Sequence, residues 1–280
     1  DAGLHAGDLA KELRAQGNPY EKIAQALVAT GYPAPKVARA LKYAGASAPL
    51  RAAALKRMGV EPGTVVAILR HQKVPLDELA SALLAAKWSA DDAVSGMRTA
   101  GLSWTPIVTA LRGLAWGIDS VAKKARAHGA QAEPLVRAFL DNQLTRSDAL
   151  RALRAADYGW PQLAVALKAV GMTPAELARA FRGEGAKASD LLAGLRKLEL
   201  SEPEQVQALR EARLAPAAIV QDLQAIGLTP AAIARALGRA ELPWPEVAKA
   251  LAANRVTGLQ LAAALKEAEC EPVDAALALK

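Results

Sequence analysis

Nine cations recur at multiples of 28 residues: Arg14, Lys42, Arg70, Arg98, Arg126, Arg154, Arg182, Arg210 and Lys266. Only Gly238 interrupts the series. Cations set in single file along one face can track the phosphates of a nucleic acid, another polyanion or an anionic surface. The net charge of +7, from 35 Lys/Arg against 28 Asp/Glu, has the matching sign. The residues midway between them (Val28, Lys56, Leu84, Arg112, Leu140, Lys168, Arg196, Gln224, Ala252 and Lys280) are only half basic. The row also has a plainer explanation, because a cation in the last turn of a helix opposes the negative end of the helix dipole. Acidic residues such as Glu21, Asp77, Asp91, Asp119, Glu133, Glu176, Glu246 and Asp274 fall where first turns would lie, which the dipole favours as well.

Other reactive side chains form no constellation. His5, His71 and His128 share no local spacing, and no H-E-x-x-H or Cys-His cluster points to zinc. There is no Walker-type loop, no G-x-G-x-x-G after a strand and no G-x-S-x-G elbow. Gly183-Glu184-Gly185-Ala186-Lys187 reads as an interhelical loop. The single cysteine, Cys270, precedes a helix start at Pro272, where the dipole would lower its pKa, but its equivalents Leu102, Leu228 and Val256 mark it as a structural thiol. The five tryptophans could stack on bases, although their places beside loops suit caps on the core better. A non-enzyme with no cofactor and no metal is the expectation.

The elements that carry these residues follow from a period of fourteen. Leu13, Leu27, Leu41, Leu55, Leu69, Leu83, Met97, Leu111, Ala125, Phe139, Leu153, Leu167, Phe181, Leu195, Leu209, Leu223, Leu237, Leu251, Leu265 and Leu279 are spaced by fourteen without an insertion, and sixteen of the twenty are Leu. Such a period marks a repeat array. With this residue numbered 14, position 4 is Gly in half the repeats, and all sixteen prolines fall at positions 6 to 9. Glycine adopts the left-handed conformation that closes a helix, and proline fits the first turn. Positions 10, 11, 14 and 17, as in Ile233, Ala234, Leu237 and Ala240, form one apolar helical stripe. Position 13 is often Ala (Ala26, Ala40, Ala54, Ala166, Ala236), which lets neighbouring helices approach.

The fold predicted is all-α: an α-solenoid of about 20 short antiparallel helices, 14 residues per helix and 28 per hairpin, in one repeat domain over residues 1–280. Each helix spans about eleven residues, roughly 16 Å. The parity of the cations predicts two layers with distinct faces. Neither terminal repeat is strongly polar, although His5, Lys11 and Lys280 could serve as caps. Closure into a ring or toroid, end-to-end stacking and excision from a longer array all fit. No apolar run is long enough for a membrane span. One cysteine and no visible leader leave the compartment open.

The segment Gly31-Tyr32-Pro33-Ala34-Pro35-Lys36-Val37-Ala38-Arg39-Ala40-Leu41 resembles the G-Y-S-x-x-x-V-A-x-A-L-K arrays of bacterial secreted or surface-associated proteins, a likeness that runs the length of the chain and implies architecture. Gly227-Leu228-Thr229-Pro230-Ala231-Ala232-Ile233-Ala234 is similar to the start of a TAL-effector repeat, an α-solenoid that wraps DNA. The chain departs from that family in period and lacks its variable base-reading dipeptide, so sequence-specific DNA reading is not implied. Two functions follow as expectations. The first is a non-catalytic scaffold for protein–protein interaction or self-assembly. The second is polyanion binding through the nine-cation ladder.

Overall fold

The computed structural model describes residues 5–256 and 258–278. Twenty helices and no strands occur among them. The chain divides into two compact units, residues 1–157 and 158–280. The first holds α1 (Ala6–Ala15), α2 (Tyr20–Ala29), α3 (Ala34–Tyr43), α4 (Ala48–Arg57), α5 (Pro62–His71), α6 (Leu76–Ala85), α7 (Ala90–Thr99), α8 (Trp104–Gly113), α9 (Ile118–Ala127), α10 (Ala132–Asp141) and α11 (Arg146–Ala155). The second holds α12 (Trp160–Lys168), α13 (Pro174–Gly183), α14 (Ala188–Lys197), α15 (Glu202–Glu211), α16 (Pro216–Ala225), α17 (Pro230–Arg239), α18 (Trp244–Ala253), α19 (Gly258–Glu267) and α20 (Pro272–Ala278).

The helices are one residue shorter than the sequence pattern suggests, ten residues in most cases. The reason is the closing loop. Position 3 is the C-cap, and position 4 is left-handed in all nineteen linkers. In the first linker the Gly17 amide donates to the Arg14 carbonyl (2.9 Å) and the Asn18 amide to the Leu13 carbonyl (3.2 Å). That pair of bonds is the Schellman closure, which satisfies carbonyls the helix end leaves open. Ten linkers turn left-handed without glycine, and seven of these show both bonds. Lys73 sits at φ 60°, and the bonds recur from Lys73 to Arg70 (2.8 Å) and from Val74 to Leu69 (3.1 Å). A left-handed non-glycine residue costs about 1 kcal/mol, so tertiary packing supplies what the local sequence does not.

Position 5 follows as an apolar residue folded back on the core: Val74, Trp88, Leu102, Tyr158, Leu242, Val256 and Cys270 are all buried. This is the contact that accompanies such a closure. Helix starts obey the proline column. Thr173 and Thr229 accept hydrogen bonds from the amides of Glu176 and Ala232 (3.2 Å each), with Pro174 and Pro230 at the first helical position.

Within each unit, helices two apart in the chain lie side by side, so odd-numbered and even-numbered helices form two layers. Positions 10, 11 and 14 of both layers meet in between and are fully buried in most repeats, for example Ile23, Ala24 and Leu27, or Ile233, Ala234 and Leu237. An isolated ten-residue helix is marginal in water, and this shared stripe stabilises it.

Candidate functional site

The nine cations of the ladder stand where a helix ends; seven are exposed, and five of the nine reach along the layer to a carbonyl of the next helix. Lys42 Nζ donates to the Gln72 carbonyl (2.8 Å), Arg70 Nη1 to the Ala100 carbonyl (3.3 Å) and Arg182 Nη1 to the Ala212 carbonyl (3.4 Å). Arg126 and Arg210 reach the carbonyls of Ala156 and Ala240 in the same way. Each acceptor is the C-cap, 30 residues on, of the next helix in the same layer. A cation thus binds the exposed carbonyl end of its neighbour's dipole. The even layer copies the device where it can: Lys56 reaches the Lys87 carbonyl (2.7 Å) and Arg112 the Asn142 carbonyl (2.6 Å). Arg14 and Arg98 instead bond their own linkers at Asn18 (3.1 Å) and Leu102 (2.8 Å), lying over the rings of Tyr20 and Trp104. Arg154 is half-buried and Lys266 exposed. At Gly238, where the series is interrupted, the Trp244 ring fills the space, 2.6 Å from where a Cβ would lie.

The tryptophans are core caps. Trp88, Trp104 and Trp160 are buried, and Trp116 and Trp244 half-buried. The Cys270 thiol is buried, and burial pushes its pKa up, with Asp274 and Glu271 adding to the effect. The lowered value that a helix start suggests is therefore overturned.

Further polar groups lie beside the exceptions at position 13. This residue faces the preceding helix of its own layer. In α7 it is Gly96, whose added Cβ would sit 2.8 Å from Pro62 Cβ and 2.9 Å from its backbone carbon, so α7 and α5 touch backbone to backbone. In α14 it is Gly194, packed under Phe181 with Ala164 of α12 alongside. Both helix pairs pack closely. Within the two units the three loosest same-layer pairs are α3 with α5, α7 with α9, and α14 with α16. Their position-13 residues are Ile68, Lys124 and Asp222. A side chain larger than Ala at the crossing point holds the helices apart, as ridge-and-groove packing requires.

Each wedge admits polar groups. Between α3 and α5 lies a cleft of about 510 Å³ lined by Pro35, Arg39, Thr64, Ala67, Ile68, His71 and Gln72. Between α7 and α9, Lys124 Nζ (2.9 Å) and His128 Nε2 (3.0 Å) both meet Asp91 Oδ1. The Lys124 hydrogen bond, then the His128 one, lowers the Asp91 pKa. Between α14 and α16, Asp222 is only 7 % exposed; burial raises its carboxyl to about 6, opposed by Arg182.

Two further exceptions interrupt the apolar position 10. Arg51 is 5 % exposed; its Nε donates to the Ser47 carbonyl (3.4 Å) and its Nη1 to Gln72 Oε1. Burial lowers its pKa and Glu78 partly restores it. Gln205 is 4 % exposed; its Nε2 donates to the Leu200 carbonyl (2.7 Å), and its Oε1 has no partner among the described residues.

Charge is unevenly divided. The odd helices of the first unit carry 13 Lys/Arg against 6 Asp/Glu, a net +7. The even helices of that unit carry 6 against 5. In the second unit the odd helices carry 6 against 5 and the even helices 4 against 4. The basic character belongs to one layer of one unit.

Among the described residues, no group of three His, Cys, Asp or Glu is placed to hold a metal ion, and no helix is long and apolar enough to cross a membrane. No protein-family model matches the chain, and no curated protein is significantly similar to it.

Proposed function

We propose that the chain is a non-catalytic repeat scaffold that presents its exposed helix faces to a partner protein. The observation that carries this reading is the contrast between columns. Buried positions repeat almost unchanged, whereas position 12 runs Lys11, Gln25, Arg39, Ala53, Ala67, Ser81, Ser95, Thr109, Lys123 and Arg137 through the first ten helices, exposed in seven of them and half-buried at Ala53, Ser81 and Thr109. A uniform core sets the spacing, and a varied surface rides on it, as in other repeat proteins that bind through an extended face. The cations closed onto neighbouring carbonyls stiffen that surface rather than contact the partner. A photo-crosslinking residue placed in turn at position 12 and at position 1 tests the reading in the organism that makes the protein. Crosslinks to one protein from contiguous position-12 sites support it. Crosslinks that favour position 1, or that fail everywhere, overturn it. Crosslinks between copies of the chain would assign the surface to self-assembly.

A second reading has its own support. The net +7 of the odd layer in the first unit suits a polyanion, and Lys36, Arg39 and Lys123 project from it as exposed cations with no partner among the described residues. Heparin retention of the triple Ala variant of these three should fall well below that of a variant lacking Lys168, Arg196 and Lys197 in the second unit. Equal retention would sink it.

A further inference from the structure

We propose that the wedged gap between α3 and α5 is a binding site for a phosphate group, with Arg39 as its principal ligand. The site deepens the polyanion reading and rests on it only for where the phosphate comes from.

Three observations converge. The first is room. Ile68 stands where most repeats have Ala or Gly, and the cleft of about 510 Å³ beside it is open to solvent through exposed Thr64, Ala67 and His71. The second is polarity of one kind. The lining offers the Arg39 guanidinium, the Thr64 hydroxyl, an imidazole nitrogen of His71 and the side-chain amide of Gln72. Gln72 would ordinarily bring two acceptors, and both are already engaged: Arg51 donates to its Oε1 and Lys42 Nζ to its carbonyl (2.8 Å). With Oε1 held by a guanidinium, the free end of that amide is the Nε2 donor. Arg39 can only donate, the Gln72 acceptors are engaged from behind by two cations, and Thr64 and His71 can each donate, so the cleft suits an anionic ligand rich in acceptors. The third is the surrounding charge. Neither α3 nor α5 contains an Asp or Glu, while α3 alone supplies Lys36, Arg39 and Lys42. Planar guanidinium donors and a fully ionised tetrahedral oxyanion are mutually complementary.

The near-buried Arg51 also gains a purpose. It breaks an otherwise apolar column of the core, and its role is to fix Gln72 in the donor-outward orientation. It is a positioning residue and does not touch the ligand.

Calorimetric titration of the intact chain with inorganic phosphate in low-salt buffer tests the site, with a short oligodeoxythymidine as a second arm. Arg39→Ala should weaken phosphate binding about tenfold or more, the scale of one lost charge-assisted pair. Ala67→Trp fills the cleft from an exposed position without altering charge and should abolish binding. Ile68→Ala removes the wedge and should do the same as the helices close; if that variant does not fold, Ala67→Trp carries the test alone. Lys22→Ala, an equal loss of charge on the even layer, should leave binding unchanged. Phosphate binding that survives both Arg39→Ala and Ala67→Trp, or that Lys22→Ala weakens as much, overturns the site. Oligonucleotide binding that requires Arg39 and an unfilled cleft places the phosphate on a polymer. Oligonucleotide binding indifferent to Ala67→Trp, with inorganic phosphate not bound, overturns the site while leaving general attraction to the layer intact. Phosphate binding without oligonucleotide binding keeps the site and removes the polyanion reading.

Discussion

The α5–α7 and α3–α5 joints belong to one layer, share the helix α5, and use the same fourteen-residue register. They differ at the columns that meet across the joint, with Gly96 and Gly63 in one and Ile68 and Pro35 in the other. Gly96 lets α7 lie directly on Pro62 and Gly63, whereas Ile68 keeps α5 off Pro35 and opens a cleft. The uniform positions 10, 11 and 14 make the array, and position 13 sets the distance between its members. Where that residue is small, the joint is in most cases closely packed, and the α8–α10 joint, with Ala138, still carries the Thr105–Asp141 and Thr109–Asn142 hydrogen bonds. Where it is Ile68, Lys124 or Asp222, the joint opens and holds Arg39 and His71, the Asp91–His128 pair, or a carboxylate that resists ionisation. At these three joints spacing and polar chemistry go together, while close joints carry polar bonds at their helix ends, as Asn142 and Asn254 do.

The strongest way to break the contrast is to force the open geometry on a closed joint. Gly96→Ile places a Cβ 2.8 Å from Pro62 Cβ and against its backbone. The backbone cannot swing aside as a flexible side chain would. We expect a loss of about 3 kcal/mol, the upper range for overpacking a core. Urea denaturation measures it. A loss below about 1 kcal/mol would mean that the joints adapt freely and that position 13 does not set their spacing.

The converse change closes an open joint. Asp222 carries its carboxyl at about 6, above the ordinary 3.8, because burial disfavours the charged form. The folded state thus holds its proton more tightly than the unfolded chain. Stability linked to this group is greatest below pH 3.8, falls as pH rises to about 6, and is flat above. Asp222→Asn should abolish that slope, and Asp222→Ala should abolish it and draw α16 toward α14. Either variant should gain about 1–2 kcal/mol at pH 7, after allowance for partial solvent screening and the Arg182 attraction. Parallel denaturation curves at pH 4 and pH 7 decide it; an identical difference at both values would dissociate the slope from Asp222.

Much of this is written in the chain, and some is not. The Leu column, the proline column and the Thr173 and Thr229 caps announce helices, starts and layers, because each depends on residues close in sequence. The left-handed closures at Lys73, Glu199 or Arg255 are invisible locally, since nothing in a Lys, Glu or Arg favours positive φ; only the unbroken register says they must match Gly17 and Gly45. The small residues of position 13 are also plain. The meaning of its exceptions is not, because Ile68 acts on Pro35, 33 residues away, across a crossing the sequence does not draw. The cations of the ladder are legible as helix ends but not as clamps, for the same reason: the carbonyl that Lys42, Arg70, Arg126, Arg182 or Arg210 binds lies about a double repeat ahead. Arg51 and Gln205 were detectable as polar residues in an apolar column, and only the structure shows that one is satisfied and the other is not.

The linkers provide a control that should ignore the difference between joints. Every linker has a left-handed residue at the same position, so relieving a left-handed side chain should help equally beside open and closed pairs. Lys73→Gly, beside the open α3–α5 joint, and Lys87→Gly, after α6, whose two same-layer joints are both close, should each stabilise by about 1 kcal/mol, while Gly45→Ala should cost about as much. Unequal gains of more than the measurement error would show that joint spacing reaches into the loops.

The smallest effect sharpens what a wedge is. Lys124 and Asp91 are linked across the α7–α9 joint by a bond of 2.9 Å, but the Asp91 side chain is 60 % exposed. An exposed ion pair of this kind contributes little and is screened by salt. If Lys124 acted mainly through its charge, Lys124→Ala would loosen the joint, and added salt would mimic it. If it acts as a spacer, as Ile68 does, Lys124→Ala should instead bring α7 and α9 closer with little change in the urea midpoint, and salt should have no such effect. Spin labels on the exposed residues Ser95 and Lys123 report that distance by pulsed electron resonance. A shorter distance in Lys124→Ala at every salt concentration supports the steric rule, and a longer one refutes it for this joint. The outcome bears on how such arrays diversify, because a spacer rule lets one substitution open a polar cleft without disturbing the core stripe that holds the helices together.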